Sequence, residues 1–286
     1  MYRKTVAGRV VVALAAVLCV VAGSAAAPAH AAATGAYVPG DGGSARAGRP
    51  PGAQADSGRL AAAAPPGYSV LGMDVASYQG NINWTQQAAN GAKFAYAKAT
   101  EGTSYVNPYF NGQYNGAKAA GLYAGGYVFA RPDSPDPVAQ ADYFLDHAQF
   151  ANDGKTLPVM LDLEWPYQSG GTYVAPSPCY GVSTTAMVSW IRNFVNEVRV
   201  RTGRPTLIYT NVNWWNPCTG NSSAFSDQLL DIAHYDTSAG TLPPGWSSWT
   251  VWQYADAGTF PGDQDVFNGS MTDLARLAAP AGRRSA

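Results

Sequence analysis

Residues 157–165 read "LPVMLDLEW", an apolar run that closes on two carboxylates one residue apart. A short apolar run bounded by Pro and turn residues reads as a buried strand. Side chains two apart on a strand share a face. Asp162 and Glu164 are therefore expected to look the same way at the strand's C-terminal end, with Leu161 and Leu163 facing the opposite layer. Two acids in one place raise each other's pKa, and apolar walls raise it further, which suits a group that donates a proton near neutrality. The plainer role for such a pair is an acidic strand end answered by Arg or Lys, or a helix cap.

Outward from this strand, strand-like and helix-like runs alternate. "YSVLGMDVAS" (68–77), "KFAYAKATEG" (93–102) and "YAGGYVFARP" (123–132) read as strands. "NPYFNGQYNGAKAAG" (107–121) reads as a helix stopped at Gly121, and "PDPVAQADYFLDHAQFA" (135–151) as a helix with Pro in its first turn. The clearest helix is "STTAMVSWIRNFVNEVRVRTG" (183–203), where Met187, Ile191, Phe194, Val195 and Val198 form one stripe and Gly203 ends it. "PTLIYTN" (205–211), "LLDIAHY" (229–235) and "TVWQYAD" (250–256) follow as short strands with less helix between them. The alternation predicts an α/β fold with a parallel sheet, closed at this length into an irregular TIM-like barrel with reduced helices in its C-terminal half.

Active sites of such barrels sit at the C-terminal ends of the strands. Polar residues expected there are Asp74, Lys98 with Glu101, Arg131, Asp162 with Glu164, Tyr209, His234 with Tyr235, and Gln253. A mouth with paired acids and stacking rings points to glycoside hydrolysis. The composition agrees: 8 Trp and 17 Tyr include polar-interleaved clusters such as "YTNVNWWN" and "WSSWTVWQY", which suit flat sugar rings.

The first residues are basic, then apolar ("VVVALAAVLCVVAG"), then small up to Ala31, the pattern of a secretory signal over 1–31. The run is too short and too early for a membrane span, and Leu18 before Cys19 argues against a lipid anchor. Residues 32–67, rich in Ala, Gly, Pro and Ser, read as a disordered leader or pro-segment. One domain is expected over 68–278, with a tail at 279–286. The chain is thus expected to be secreted, extracellular and monomeric, without a membrane anchor. Loss of Arg3, Lys4 and Arg9 with the signal turns 18 basic and 19 acidic residues into 15 and 19, a net charge of −4. With no basic stripe, nucleic acid is a poor partner. Cys179 and Cys218 then remain as an even pair, expected to be bonded in an exported protein. His147 and His234 show no ligand spacing, so no metal is expected. There is no G-x-S-x-G elbow and no P-loop.

Five blocks, "GMDVASYQGNINW" (72–84), "AYAKATEGTSYVNPYFNGQYNGAKAAGLYAGGYVFA" (95–130), "LPVMLDLE" (157–164), "PTLIYTN" (205–211) and "PGDQDVFNGS" (261–270), resemble in order those of glycoside hydrolase family 25, the Chalaropsis-type lysozymes. The resemblance spans residues 70–275. It implies a flattened β/α barrel and cleavage of the β-1,4 bond between N-acetylmuramic acid and N-acetylglucosamine in peptidoglycan glycan strands, without a cofactor. Carried over by motif, Asp74, Asp162, Glu164 and Asp263 are the catalytic acids. Glu164 is the general acid, and Asp162 stabilises the cationic transition state or the 2-acetamido group. Tyr127, Tyr209, Tyr235, Trp252, Gln253 and Asp265 are expected to bind substrate. The chain departs from the family pattern at Ala76, Val128, Gly262 and Leu230-Asp231-Ile232-Ala233, none of which replaces one of these acids. Two rival readings are a chitinase-like hydrolase, of whose longer acidic motif only the terminal D-x-E is present, and a non-catalytic wall-binding module, against which all four acids speak.

Overall fold

The computed structural model describes residues 63–134, 136–166, 168–169, 172–173, 177–280 and 282. The expected signal over 1–31 and the leader as far as residue 62 lie outside the described residues. The last leader residues, 63–67, carry one buried side chain, Pro65.

In chain order the strands are β1 (Leu71–Val75), β2 (Ala92–Glu101), β3 (Tyr105–Val106), β4 (Tyr123–Phe129), β5 (Met160–Asp162), β6 (Gln168–Ser169), β7 (Thr172–Tyr173), β8 (Leu207–Thr210), β9 (Leu229–Ala233), β10 (Val251–Ala255) and β11 (Asp263–Phe267). The helices are α1 (Trp84–Ala89), α2 (Phe110–Ala119), α3 (Pro137–His147), α4 (Thr184–Thr202), α5 (Val212–Thr219) and α6 (Met271–Leu277). Lateral order runs β1-β11-β10-β9-β8-β5-β4-β2, and β2 pairs with β1 to close the ring. Neighbours from β1 through β2, β4, β5, β8, β9 and β10 run parallel. β11 lies antiparallel between β10 and β1. The short β3 hangs on β2, and β6 and β7 pair antiparallel as a separate two-stranded sheet.

Strand alternation divides the core. Inward residues Val70, Phe94, Tyr96, Leu157, Leu207, Val251 and Phe267 fill the barrel away from the site, and Leu274 and Ala278, in and just after α6, pack with them. A large interior ring needs a small neighbour: a Cβ on Gly125 would stand 2.2 Å from Tyr96 Cε1. Outward residues of β1, β2, β4, β5 and β8, among them Val75, Ala97, Val128, Leu161 and Ile208, pack with Phe110, Phe144, Ile191 and Phe194 of the helices. The expected α4 stripe is buried and also includes Trp190. Ser183 caps its start, accepting from Ala186 N, and Gly203 in the left-handed region ends it (φ 69°). Asp136 caps α3, with Pro137 opening its first turn.

The outer face of β9–β11 is covered differently. Leu230, Ile232, Trp252, Tyr254 and Val266 pack there with Tyr68, Leu242, Trp246 and Trp249, so loops and aromatic rings take the place of a long helix. This is the physical form of the thinning of helices seen late in the sequence. The sequence reading did not anticipate β11 as a strand, nor α1, α5 and α6.

Candidate active site

Six strands, β1, β4, β5, β8, β10 and β11, bring inward side chains to one end of the barrel. Asp74 on β1 lies directly opposite Asp263 on β11 in the antiparallel register. Asp162, last residue of β5, is the lateral partner of Phe129 on one side and Tyr209 on the other. Glu164 follows beyond the strand on the same face, while Leu161 and Leu163 join the outer core. A pocket is lined by Asp74, Tyr127, Met160, Asp162, Tyr209 and Gln253. The spacing expected from "LPVMLDLEW" is therefore present: strand, inward acid, outward leucine, inward acid.

Gln253 organises one wall. Its amide nitrogen donates to Asp74 Oδ2 at 2.6 Å, and its oxygen accepts from Tyr209 at 2.9 Å and Tyr235 at 2.8 Å. Three donors and acceptors of matching sign leave that amide one orientation. On the other wall, buried Lys98 donates to Glu101 at 2.9 Å, and Arg131 approaches the other Glu101 oxygen at 3.4 Å. The Lys98 ammonium stands 4.7 Å from the Phe129 ring centroid.

All these acids are nearly excluded from water. Burial, opposed chiefly by the Lys98 charge, pushes Glu164 up from 4.5 to about 8. Burial first, and then the Glu164 charge, pushes Asp162 well above the usual carboxylate range, against the pull of Lys98. Burial and the Asp74 charge do the same to Asp263. Glu164 Oε1, Asp162 Oδ1 and Asp263 Oδ2 are buried without a protein partner, so each can still bond a ligand or water. Among the described residues no cluster could hold a metal ion.

The expected residues divide by depth and face. Asp74, Asp162, Glu164, Asp263, Tyr127, Tyr209, Tyr235 and Gln253 gather at or beside the mouth. Trp252 does not: one residue from Gln253, it faces outward, donates to the His234 carbonyl at 2.7 Å and is packed by Trp249 and Tyr254. Asp265 points inward but one step deeper than Asp263, opposite Gly72, with both oxygens buried and unpartnered. Neither is placed to touch a sugar at the mouth. Two residues were missed as site neighbours. Asp231, lateral partner of Tyr209, is fully buried and pushed up first by burial and then by the Asp74 charge; its inward position was readable from alternation in "LLDIA". Tyr180, whose hydroxyl donates to the Glu164 carbonyl at 3.1 Å, sits in a turn with no periodic signal. Cys179 and Cys218 are bonded, with Cα atoms 5.2 Å apart. Gly262, one of the departures noted above, has φ 80°, and a Cβ there would stand 2.1 Å from the Asp74 carbonyl oxygen, so close passage of the chain beside the site requires glycine.

The glycosyl hydrolases family 25 model matches residues 73–263, the stretch that carries all four acids. The N,O-diacetylmuramidase of Chalaropsis sp is 45% identical over 216 residues, covering 73% of this chain and 99% of that protein. Lysozyme M1 of Streptomyces globisporus is 41% identical over 216 residues, covering 73% and 71%. Among solved structures, a muramidase from Trichobolus zukalii superposes with a TM-score of 0.69 at 44% identity, covering 73% of this chain and 98% of that one.

Proposed function

The chain belongs to glycosyl hydrolases family 25, and we propose that it is a secreted muramidase, a lysozyme that hydrolyses the β-1,4 bond between N-acetylmuramic acid and N-acetylglucosamine in peptidoglycan. The observation that carries the reading is the pair Asp162 and Glu164, on one inward face at the barrel mouth, with Glu164 raised to about 8 by burial. The names of its close relatives point to the same substrate.

Glu164 holds a proton at neutral pH and gives it to the glycosidic oxygen as the C1–O bond breaks. Burial raises both carboxyls, and the charge of Glu164 raises Asp162 further, so the pair resists double ionisation; Glu164 keeps the proton in this reading, and the nearby Lys98 ammonium favours the charge that remains. That charge on Asp162 either stabilises the oxocarbenium-like transition state or holds the 2-acetamido N–H while its carbonyl oxygen attacks C1. Water then attacks C1 and returns its proton to Glu164. Asp74, fixed by Gln253, and Asp263 opposite it orient the sugar and the reacting pair. Residues 1–31 serve as the export signal and 32–67 as a leader, ahead of a catalytic barrel over 68–278 with a short tail at 279–286, and the enzyme acts as a monomer on glycan strands.

The test is digestion of purified peptidoglycan followed by mass spectrometry of the new reducing ends. N-acetylmuramic acid at those ends is expected. N-acetylglucosamine there, or an undigested wall, would refute the assignment.

A further inference from the structure

We propose that Tyr180 is a positioning residue for Glu164, and that the Cys179–Cys218 disulfide holds the turn from which it works. The inference rests on the reading of Glu164 as the proton donor.

The strand that carries the acids stops early. β5 ends at Asp162. Leu163 is still tied to the neighbouring strand, its N–H donating to the Tyr209 carbonyl at 3.0 Å and its carbonyl accepting from Thr210 Oγ1 at 2.9 Å. Glu164 comes next, beyond any ladder. The Glu164 carbonyl is met by the Tyr180 hydroxyl at 3.1 Å, a bond that ties the end of this strand to the turn at 177–180. It fixes the backbone from which the catalytic side chain projects. The phenol is buried, 3% exposed, and close enough to both acids that, after burial itself, their charges raise it most.

Tyr180 is itself held in an uncommon backbone conformation, φ 61°, where a bulky residue persists only if its surroundings impose it. The surroundings do. Tyr180 N donates to the Ser177 carbonyl at 2.9 Å, and Ser177 Oγ accepts from the Cys179 and Gly181 amides at 3.2 and 2.8 Å. Trp214 Nε1 donates to the Pro178 carbonyl at 3.2 Å. Cys179 is bonded to Cys218 near the end of α5, and α5 begins at Val212, directly after β8. β8 is the strand paired with β5 beside Asp162. The brace therefore forms a closed circuit: β5, β8, α5, the disulfide, the turn, Tyr180 and back to the Glu164 carbonyl.

A displacement of about 1 Å in a reacting group can cost on the order of 100-fold in rate. Tyr180→Phe keeps the ring and removes only the hydroxyl. On soluble glycan strands its kcat should fall about 10- to 100-fold with KM unchanged, in a protein that melts well above the assay temperature. Partial unfolding would also lower apparent kcat at constant KM, so the melting temperature measured beside it separates the two. Leaving-group dependence supplies a second readout. A dinitrophenyl glycoside of the same sugars expels its phenolate without protonation, so first-turnover release from it should be near wild type in Tyr180→Phe.

Glu164→Gln is run beside it. Loss of glycan turnover in both variants, with first-turnover aryl release kept, supports the proposal. Loss in Glu164→Gln with wild-type kcat in Tyr180→Phe overturns the positioning role and leaves the proton donor in place. Glycan turnover retained in Glu164→Gln overturns the donor assignment and this inference with it. Should Tyr180→Phe not fold, Cys179→Ser/Cys218→Ser, which leaves the phenol but releases its turn, must show the same kcat-only loss; wild-type kcat there refutes the brace.

Discussion

Glu164→Gln should make the folded protein more stable while it removes the chemistry. Burial raises the Glu164 carboxyl from 4.5 to about 8. A group whose folded pKa lies above its unfolded value contributes its full stability below the unfolded pKa and loses it as pH rises through the folded one. The loss here therefore opens near pH 4.5 and is complete near pH 8. At pH 7 the interval from 4.5 is 2.5 units, and at about 1.4 kcal/mol per unit that amounts to about 3 kcal/mol relative to pH 4. Gln keeps the shape, does not titrate, and can donate its amide to the Asp162 carboxylate. The variant should gain up to about 3 kcal/mol at pH 7 and nothing from this source at pH 4. For a domain of ~200 residues each kcal/mol moves Tm by roughly 2–4 °C, so a rise of up to about 6–12 °C is expected at pH 7. The assay is thermal unfolding of both proteins at pH 4 and pH 7. An equal Tm difference at the two pH values, or a lower Tm for the variant at pH 7, would refute the desolvated-acid account.

Asp162→Asn removes the negative charge that opposes ionisation of its partner, so the alkaline limb of kcat/KM should move to lower pH and the rate should fall; a limb that stays in place in a pH–rate profile would show the two acids uncoupled. Gln253→Leu takes a donor from Asp74 and the shared acceptor from Tyr209 and Tyr235, and kcat measured by reducing-end release should drop about 10-fold or more; unchanged kcat would make that wall structural only. Thiol titration of unreduced, denatured protein should find neither Cys179 nor Cys218 free. Their bond spans 39 residues, and Cys179→Ser/Cys218→Ser should lower unfolding stability by about 4 kcal/mol in denaturant titrations.

The parts of this fold legible in the sequence are those where one rule acts alone. α4 shows its stripe, cap and glycine stop because it packs one face and wets the other. β5 shows its acids because inward and outward positions alternate against an apolar background. β11 hides for the same reason inverted. Its inward residues are Asp263, Asp265 and Phe267, and its outward Gln264 braces the preceding loop by bonding Phe260 and Gly262, so little in "DQDVF" reads as apolar alternation. Trp252 was misplaced by treating the cluster as one surface when Trp252 and Gln253 must point to opposite faces. Tyr180 was invisible because its contact with Glu164 is made across the fold by a turn residue.

Asp162, Glu164, Asp231, Asp263 and Asp265 are each raised by burial first, and Lys98 is the cation that opposes this for Asp162 and Glu164. Buried carboxyls of this kind are held by protonation and cost stability when the solvent would ionise them. The free energy that tolerates them comes from elsewhere: the apolar interior at the α6 side, the helix-packed outer layer and the aromatic cover over β9–β11. In the proposed role of Glu164 as proton donor, desolvation cannot prepare it to give up a proton at neutral pH without also destabilising the barrel as pH rises. Stability should therefore decline between about pH 4.5 and 8, before turnover, which needs protonated Glu164, falls as pH passes about 8. In Glu164→Gln the stability loss over that interval should shrink by the share this one carboxyl contributes, leaving the part due to its neighbours.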